Sequence, residues 1–323
     1  MVNVRAEAID EGVLRRTIAS LHVSRPHTWR SAGRLASMWA VYAGCAVAAV
    51  QVGLWPVQAV LWFVMSWVLL GNGAVGHETV HGHLFGPRWA NRVVGTVAGM
   101  SIGAPWSVYR CYHLGHHQHS CTTDDPEGEP YLFTSKWNYL LVPLGGPLFA
   151  GQFGVWTLRT MVGRPPAFVR SARQRRDVVV DGLLGLAFYG AMVAVGLHSF
   201  ELLLHVWLAP WLIAVVVLEP LVLIPEHYGA RVADARFALR TTRTVRSSRL
   251  VTWLYWQNNL HTAHHLAPGV VPQELGKVDA EFVQPNLAAE WTSSGYLAFH
   301  WSLWRALPWR GGGTDSRAAA ANG

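Results

Sequence analysis

Residues 35–76 run for 42 positions without one Asp, Glu, Lys or Arg. A single helix needs about 20 apolar residues to cross a bilayer, so the run holds two. Trp55-Pro56, near its middle, marks a tight turn between them. In lipid, backbone polar groups must be satisfied within the segment or in a closed barrel, which leaves few folds open to such a stretch. A second run lies between Arg176 and Arg231, where no Lys or Arg occurs. It fits two more spans, at about 178–197 and 202–225, joined by "HSFE". The expected fold class is therefore all-α: an integral membrane helical bundle with about four transmembrane helices. Residues 93–108 are short for a span, and residues 137–158 are broken by "VPLGGP". Both are expected as interfacial or re-entrant helices.

The charge balance supports this reading. Only 14% of residues are charged, yet the net charge is +7. Arginines flank the apolar runs rather than lining one face. Arg15, Arg16, Arg25, Arg30 and Arg34 precede the first run; Arg164, Arg170, Arg173, Arg175 and Arg176 precede the second. Arg231, Arg236, Arg240, Arg243, Arg246 and Arg249 follow it. By the positive-inside rule these flanks face the cytoplasm of a multi-pass cell-membrane protein, and the basic balance does not indicate nucleic acid. The 17 tryptophans suit membrane–water interfaces. Residues 1–34, too long and polar for a cleavable signal peptide, form a cytoplasmic N-terminal segment. Residues 35–310 form the membrane domain and 311–323 a disordered tail. Cys45, Cys111 and Cys121 make no CxxC pair and are expected to be reduced thiols.

Eleven of the 16 histidines fall in four groups: His77, His81 and His83; His113, His116, His117 and His119; His227; and His261, His264 and His265. Residues i, i+3 and i+4 share a helical face, so each group can aim two or three imidazoles at one point. His83 lies about 200° round from His81 and points elsewhere if the helix continues; the role of His119 stays open. His22, His27, His198, His205 and His300 have no clustered partner and read as ordinary histidines. Every group falls at the same membrane face, as a cytoplasmic histidine-rich cap. Nine imidazoles exceed what one zinc takes and suit two metals with four or five ligands each. His77-Glu78-Thr79-Val80-His81 also satisfies HExxH, the zinc-protease signature. As an intramembrane metalloprotease the chain would use Glu78 as base and need a further ligand, for which Glu219 is the available carboxylate.

The motifs "HETVHGHLF", "YRCYHLGHHQHSCTTDDPEGEP", "PEHYG" and "NNLHTAHHLAP", in that order, resemble the integral-membrane fatty acid desaturase/hydroxylase superfamily. The resemblance covers roughly 35–272, makes 35–310 a desaturase-like catalytic domain, and implies a non-haem di-iron centre, two Fe2+ ions, that works with O2 and external electrons. It implies desaturation of a fatty acyl chain or related lipid. Hydroxylation or ketolation of a lipid, carotenoid or specialised metabolite is the alternative within the superfamily. It assigns His77, His81, His113, His116, His117, His227, His261, His264 and His265 as metal ligands. Glu78, Asp125 and Asn259 are expected around them. Electrons would come from a separate ferredoxin, rubredoxin or cytochrome partner, for which the arginines of 231–249 are either a docking patch or an interfacial anchor.

Overall fold

The computed structural model describes residues 10–21, 25–128, 132–235 and 237–310. The tail 311–323, His22 and Arg236 lie outside them. The described residues are mostly helical, and four helices among them are long and apolar enough to cross a membrane: α2 (Thr28–Gln51), α3 (Trp55–His81), α8 (Ala172–His198) and α9 (Phe200–His227). The first pair breaks at residues 52–54, and Pro56 sits in the first turn of α3, where its missing N–H is no loss. α2 starts at Thr28, so Arg30 and Arg34 belong to its first turns rather than to a separate segment. α3 is the central helix, packed against α2, a shorter α4 (Arg88–Ile102) and α9. At 27 residues it extends about 40 Å, past a hydrocarbon core of about 30 Å, and carries His77 and His81 on its last turn.

The expected segment 93–108 is not one helix. Gly103, at φ +97°, ends α4, and α5 (Trp106–His119) starts after Pro105. Pro143 and the glycines break 137–158 as expected: α6 (Lys136–Leu140), a 3-10 turn (Val142–Leu144), then α7 (Gly145–Met161). A Ser171–Gln174 capping box starts α8, and Ser199 alone separates it from α9. α9 carries two π turns, Leu204–Leu208 and Ala214–Leu218, each ending two residues before a proline, Pro210 or Pro220. A proline has no N–H and crowds the preceding turn, and a widened turn relieves that. The Tyr42 hydroxyl donates to the Val206 carbonyl four residues before Pro210, at 2.8 Å. Outer faces of the bundle are apolar and exposed at Val60, Phe63, Leu186 and Val193, as lipid contact requires.

A cap closes the end where α3 and α9 finish. It contains α10 (Ala238–Thr241), α11 (Arg249–Leu254), α12 (His261–Leu266), α13 (Pro272–Val278), α14 (Tyr296–Ala306), and a two-residue parallel pair, β1 (Thr244–Val245) with β2 (Thr292–Ser293). Arg243 is only 2% exposed. It donates to the carbonyls of Pro225, Tyr228 and Glu290, tying the end of α9 into the cap. That corrects its place in the expected docking or anchoring patch; Arg231, Arg240, Arg246 and Arg249 are exposed. The N-terminal helix α1 (Glu11–Leu21) is also part of the cap. Glu11 accepts from the N–H groups of Ala238 and Leu239, both at 2.9 Å, and Ile18 is fully buried among α12 and α13 residues.

Candidate metal centre

The nine box histidines meet at the closed end of the bundle, but not one box per point. His77 and His81 from α3, His113 and His117 from α5, and His264 from α12 bring their ligand nitrogens within 4.8 Å of one another. Nε2 atoms face each other at 3.0 Å for His81–His113 and His117–His113, and at 2.9 Å for His264–His117. A second group holds His116, His227 and His265. His261 adjoins it, with Nε2 3.0 Å from that of His227. Helical geometry explains the split. Positions i and i+4 differ by about 40°, whereas i+3 and i+4 differ by about 100°. One helix therefore sends His113 and His117 to the first group and His116 to the second, and α12 sends His264 one way and His265 the other. The expectation that each box converges on a single point is corrected accordingly.

Outer nitrogens are pinned. His77 Nδ1 lies 2.9 Å from Glu78 Oε1. His116 Nδ1 lies 2.9 Å from Asp125 Oδ2, and His227 Nδ1 donates to the Thr241 carbonyl at 2.8 Å. With Nδ1–H engaged, Nε2 presents a lone pair inward. His77 Nε2 is buried without a hydrogen-bond partner among the described residues. Asp125 also accepts from the backbone N–H of Cys121 and Glu127, which fixes the loop after α5. Burial, reinforced by the neighbouring imidazoles, holds His113, His261, His264 and His265 well below the ordinary imidazole pKa, so they are neutral donors. Burial also acts against a charge on His116, but Glu127 and Asp125 outweigh it and raise its pKa. An all-imidazole donor set, neutral and convergent, fits transition-metal ions and not calcium or magnesium.

The remaining expected residues take varied places. His83 does not continue the helix: Gly82 caps α3 at φ +78°, and the chain folds back to put His83 Nδ1 3.6 Å from Glu78 Oε2. His83 and His119 are in neither nitrogen group. Asn259 donates its side-chain amide to the Val245 carbonyl at 3.0 Å and is likewise outside both groups. All three cysteines are free. Two carboxylates stand beside the groups without having been singled out in the sequence. Glu127 Oε2 is 3.5 Å from His116 Nδ1. Glu226 accepts from the Tyr255 hydroxyl at 3.0 Å, and its Oε2 lies 3.7 Å from His261 Nε2. Each sat next to a recognised residue, in "DDPE" and "PEH", and adjacency was the available signal.

A cavity of about 590 Å3 runs from this cluster down between α3, α5, α7 and α9. Leu69, Tyr112, Phe149, Phe153, Val215 and Ile224 give it apolar walls, and His77, His113, His116, His227 and His261 close its inner end. Glu78, fully buried, lies outside its lining and is engaged with His77, whereas a zinc protease needs its base on a cavity water. An apolar helical bundle with a cavity ending on two adjacent histidine groups that could hold metal ions is the arrangement of a membrane enzyme of the histidine-box class.

Sequence comparison gives the family. Residues 53–296 match the profile described as fatty acid desaturase, and the chain belongs to that family of oxidoreductases. It is 22% identical to the sn-1 oleoyl-lipid 12-desaturase of Picosynechococcus over 285 residues, covering 83% of this chain and 80% of that protein. The Synechocystis protein of the same name is 24% identical over 271 residues, 78% of this chain and 75% of its own length. The sn-2 acyl-lipid omega-3 desaturase (ferredoxin), chloroplastic, of Helianthus annuus is 29% identical over 135 residues, 40% of this chain and 30% of that protein.

Proposed function

We propose that this fatty acid desaturase acts on the acyl chain of a membrane lipid through a di-iron centre, using O2 and electrons from a separate carrier. In this reading His77, His81, His113, His117 and His264 hold one iron, and His116, His227, His261 and His265 hold the other. The observation that carries it is the apolar cavity that ends on both nitrogen groups. Bound iron would supply the reductive activation of O2 that hydrogen removal from an unactivated carbon demands. The chain's own residues do the rest. Glu78, Asp125 and the Thr241 carbonyl fix imidazole orientation. The aromatic and aliphatic walls hold an extended chain and exclude water. Leu141, Gly145 and Leu223 line the cavity and are exposed, which offers an acyl chain a lateral entry from the bilayer. The names of the relatives support an acyl lipid as substrate, and the ferredoxin in one of them supports an acidic iron–sulfur carrier as donor. The histidine groups lie at the end of the spans that the arginine flanks share, which supports a centre on the cytoplasmic face.

Lipid mass spectrometry of cells or vesicles containing the protein tests this. With O2 and a reductant, lipids lighter by two hydrogens should accumulate. Hydroxylated lipid alone, or product formed equally without O2, contradicts the proposal.

A further inference from the structure

The second π turn of α9 places polar atoms in an otherwise apolar wall. The Glu219 N–H bonds the Ala214 carbonyl, one residue beyond the α-helical partner. Pro220 has no N–H. The Val215 carbonyl is thereby left without a donor from its own helix. It faces Gly146 of α7 so closely that a Cβ there would clash with the Val215 oxygen and sit 3.0 Å from Glu219 Oε2. Two acceptors thus flank one glycine, and Val215, Glu219 and Gly146 all line the cavity. Among the described residues no hydrogen bond or ion pair reaches the Glu219 carboxyl; Tyr109 and Tyr112 line the same cavity.

A carboxyl in an apolar cavity carries a desolvation cost when nothing bonds it, so a ligand group that satisfies it gains selectivity. We infer that Glu219 and the Val215 carbonyl form an accepting subsite that selects an acyl chain carrying a hydroxyl group. The inference rests on the acyl-lipid reading above and refines its substrate class. A hydroxyl suits the site better than an ammonium, because it donates to either acceptor without burying a second charge between aromatic and aliphatic walls. Residues 219–227 are α-helical. Glu219 therefore lies about 12 Å along α9 from His227. An extended chain advances about 1.2 Å per bond, which sets the hydroxyl roughly eight to ten bonds from a carbon held against the histidines.

The test is binding of octadecanoyl lipid and of its monohydroxylated counterparts, with the hydroxyl moved along the chain, to detergent-solubilised wild type, Glu219→Leu and Glu219→Gln. Wild type should bind one positional isomer about tenfold or more tighter than the plain chain. Glu219→Leu should erase that preference while thermal stability and metal content hold, and Glu219→Gln should keep part of it. Equal binding of plain and hydroxylated chains by wild type, or an undiminished preference in Glu219→Leu, overturns the subsite. Water alone then occupies it. Failure of the desaturase reading looks different: the preferred lipid binds, yet no chain is oxidised by metal-loaded protein with O2 and reductant.

Discussion

His83 shows what angular reasoning can and cannot do. Projected on a continuing helix it points away from His81, but the helix stops. The glycine between the two histidines carried that information, since a left-handed cap at Gly82 is a common helix ending. His83 ends beside Glu78, not in the nitrogen group. His83→Ala should therefore retain iron, whereas His81→Ala loses it, as elemental analysis of both variants will show. Glu78→Gln keeps the shape but weakens the hold on His77, and a loss of 10–100-fold in metal affinity or activity is expected. Complete inactivity with full metal would instead return Glu78 to the role of base. The clustering of eight of these histidines was legible because their spacing sets them on shared helical faces, whereas isolated His227 was marked by the resemblance. Glu127 and Glu226 were not singled out: adjacency to recognised residues was their one signal, and which imidazole each abuts is set by the fold.

At the level of elements, the spans were readable because a missing charge over 20 residues has few other meanings. The bend between α4 and α5 and the π turns of α9 were not read, although Gly103, Pro105, Pro210 and Pro220 mark them. The role of α1 was invisible, since it depends on contacts some 250 residues apart. Arg15 donates to the carbonyls of His265 and Leu266, each at 2.9 Å, at the open end of α12. A hydrogen bond from a charged donor contributes about 1.5–3 kcal/mol. Arg15→Ala should lower the thermal midpoint and release iron faster to a chelator; unchanged release would separate α1 from the centre. His300 joins α14 to α6 and α9: its Nδ1 accepts from the Tyr139 hydroxyl at 2.7 Å and its Nε2–H donates to the Leu221 carbonyl at 2.9 Å. The bond that Nδ1 accepts needs neutral imidazole, and burial lowers the pKa below 6.5 although the Leu221 carbonyl favours the charged ring. Below pH 6.5 the unfolded chain then takes up the proton that the folded chain refuses, so this contribution is full above that pH and lost as pH falls. The stability advantage of wild type over His300→Gln should shrink from pH 7.5 to 5.5 in thermal unfolding, and growth instead would show that His300 is protonated in the fold.

For the whole molecule, two apolar helix pairs deliver residues far apart in sequence to one end, and the cap locks them there. Single-cysteine labelling from each side of the membrane tests the orientation: a probe at Thr123 or Gly269 should react from the cytoplasm and one at Ser199 from outside. The central claim is that nine imidazoles, divided between two neighbouring groups, hold two irons. Metal analysis of protein purified anaerobically in detergent addresses it most directly. The expected result is about two iron atoms per chain, abolished or halved in both His117→Ala and His265→Ala, which sample the two groups separately. One tightly held zinc per chain with no iron, or full iron in either variant, would contradict the account.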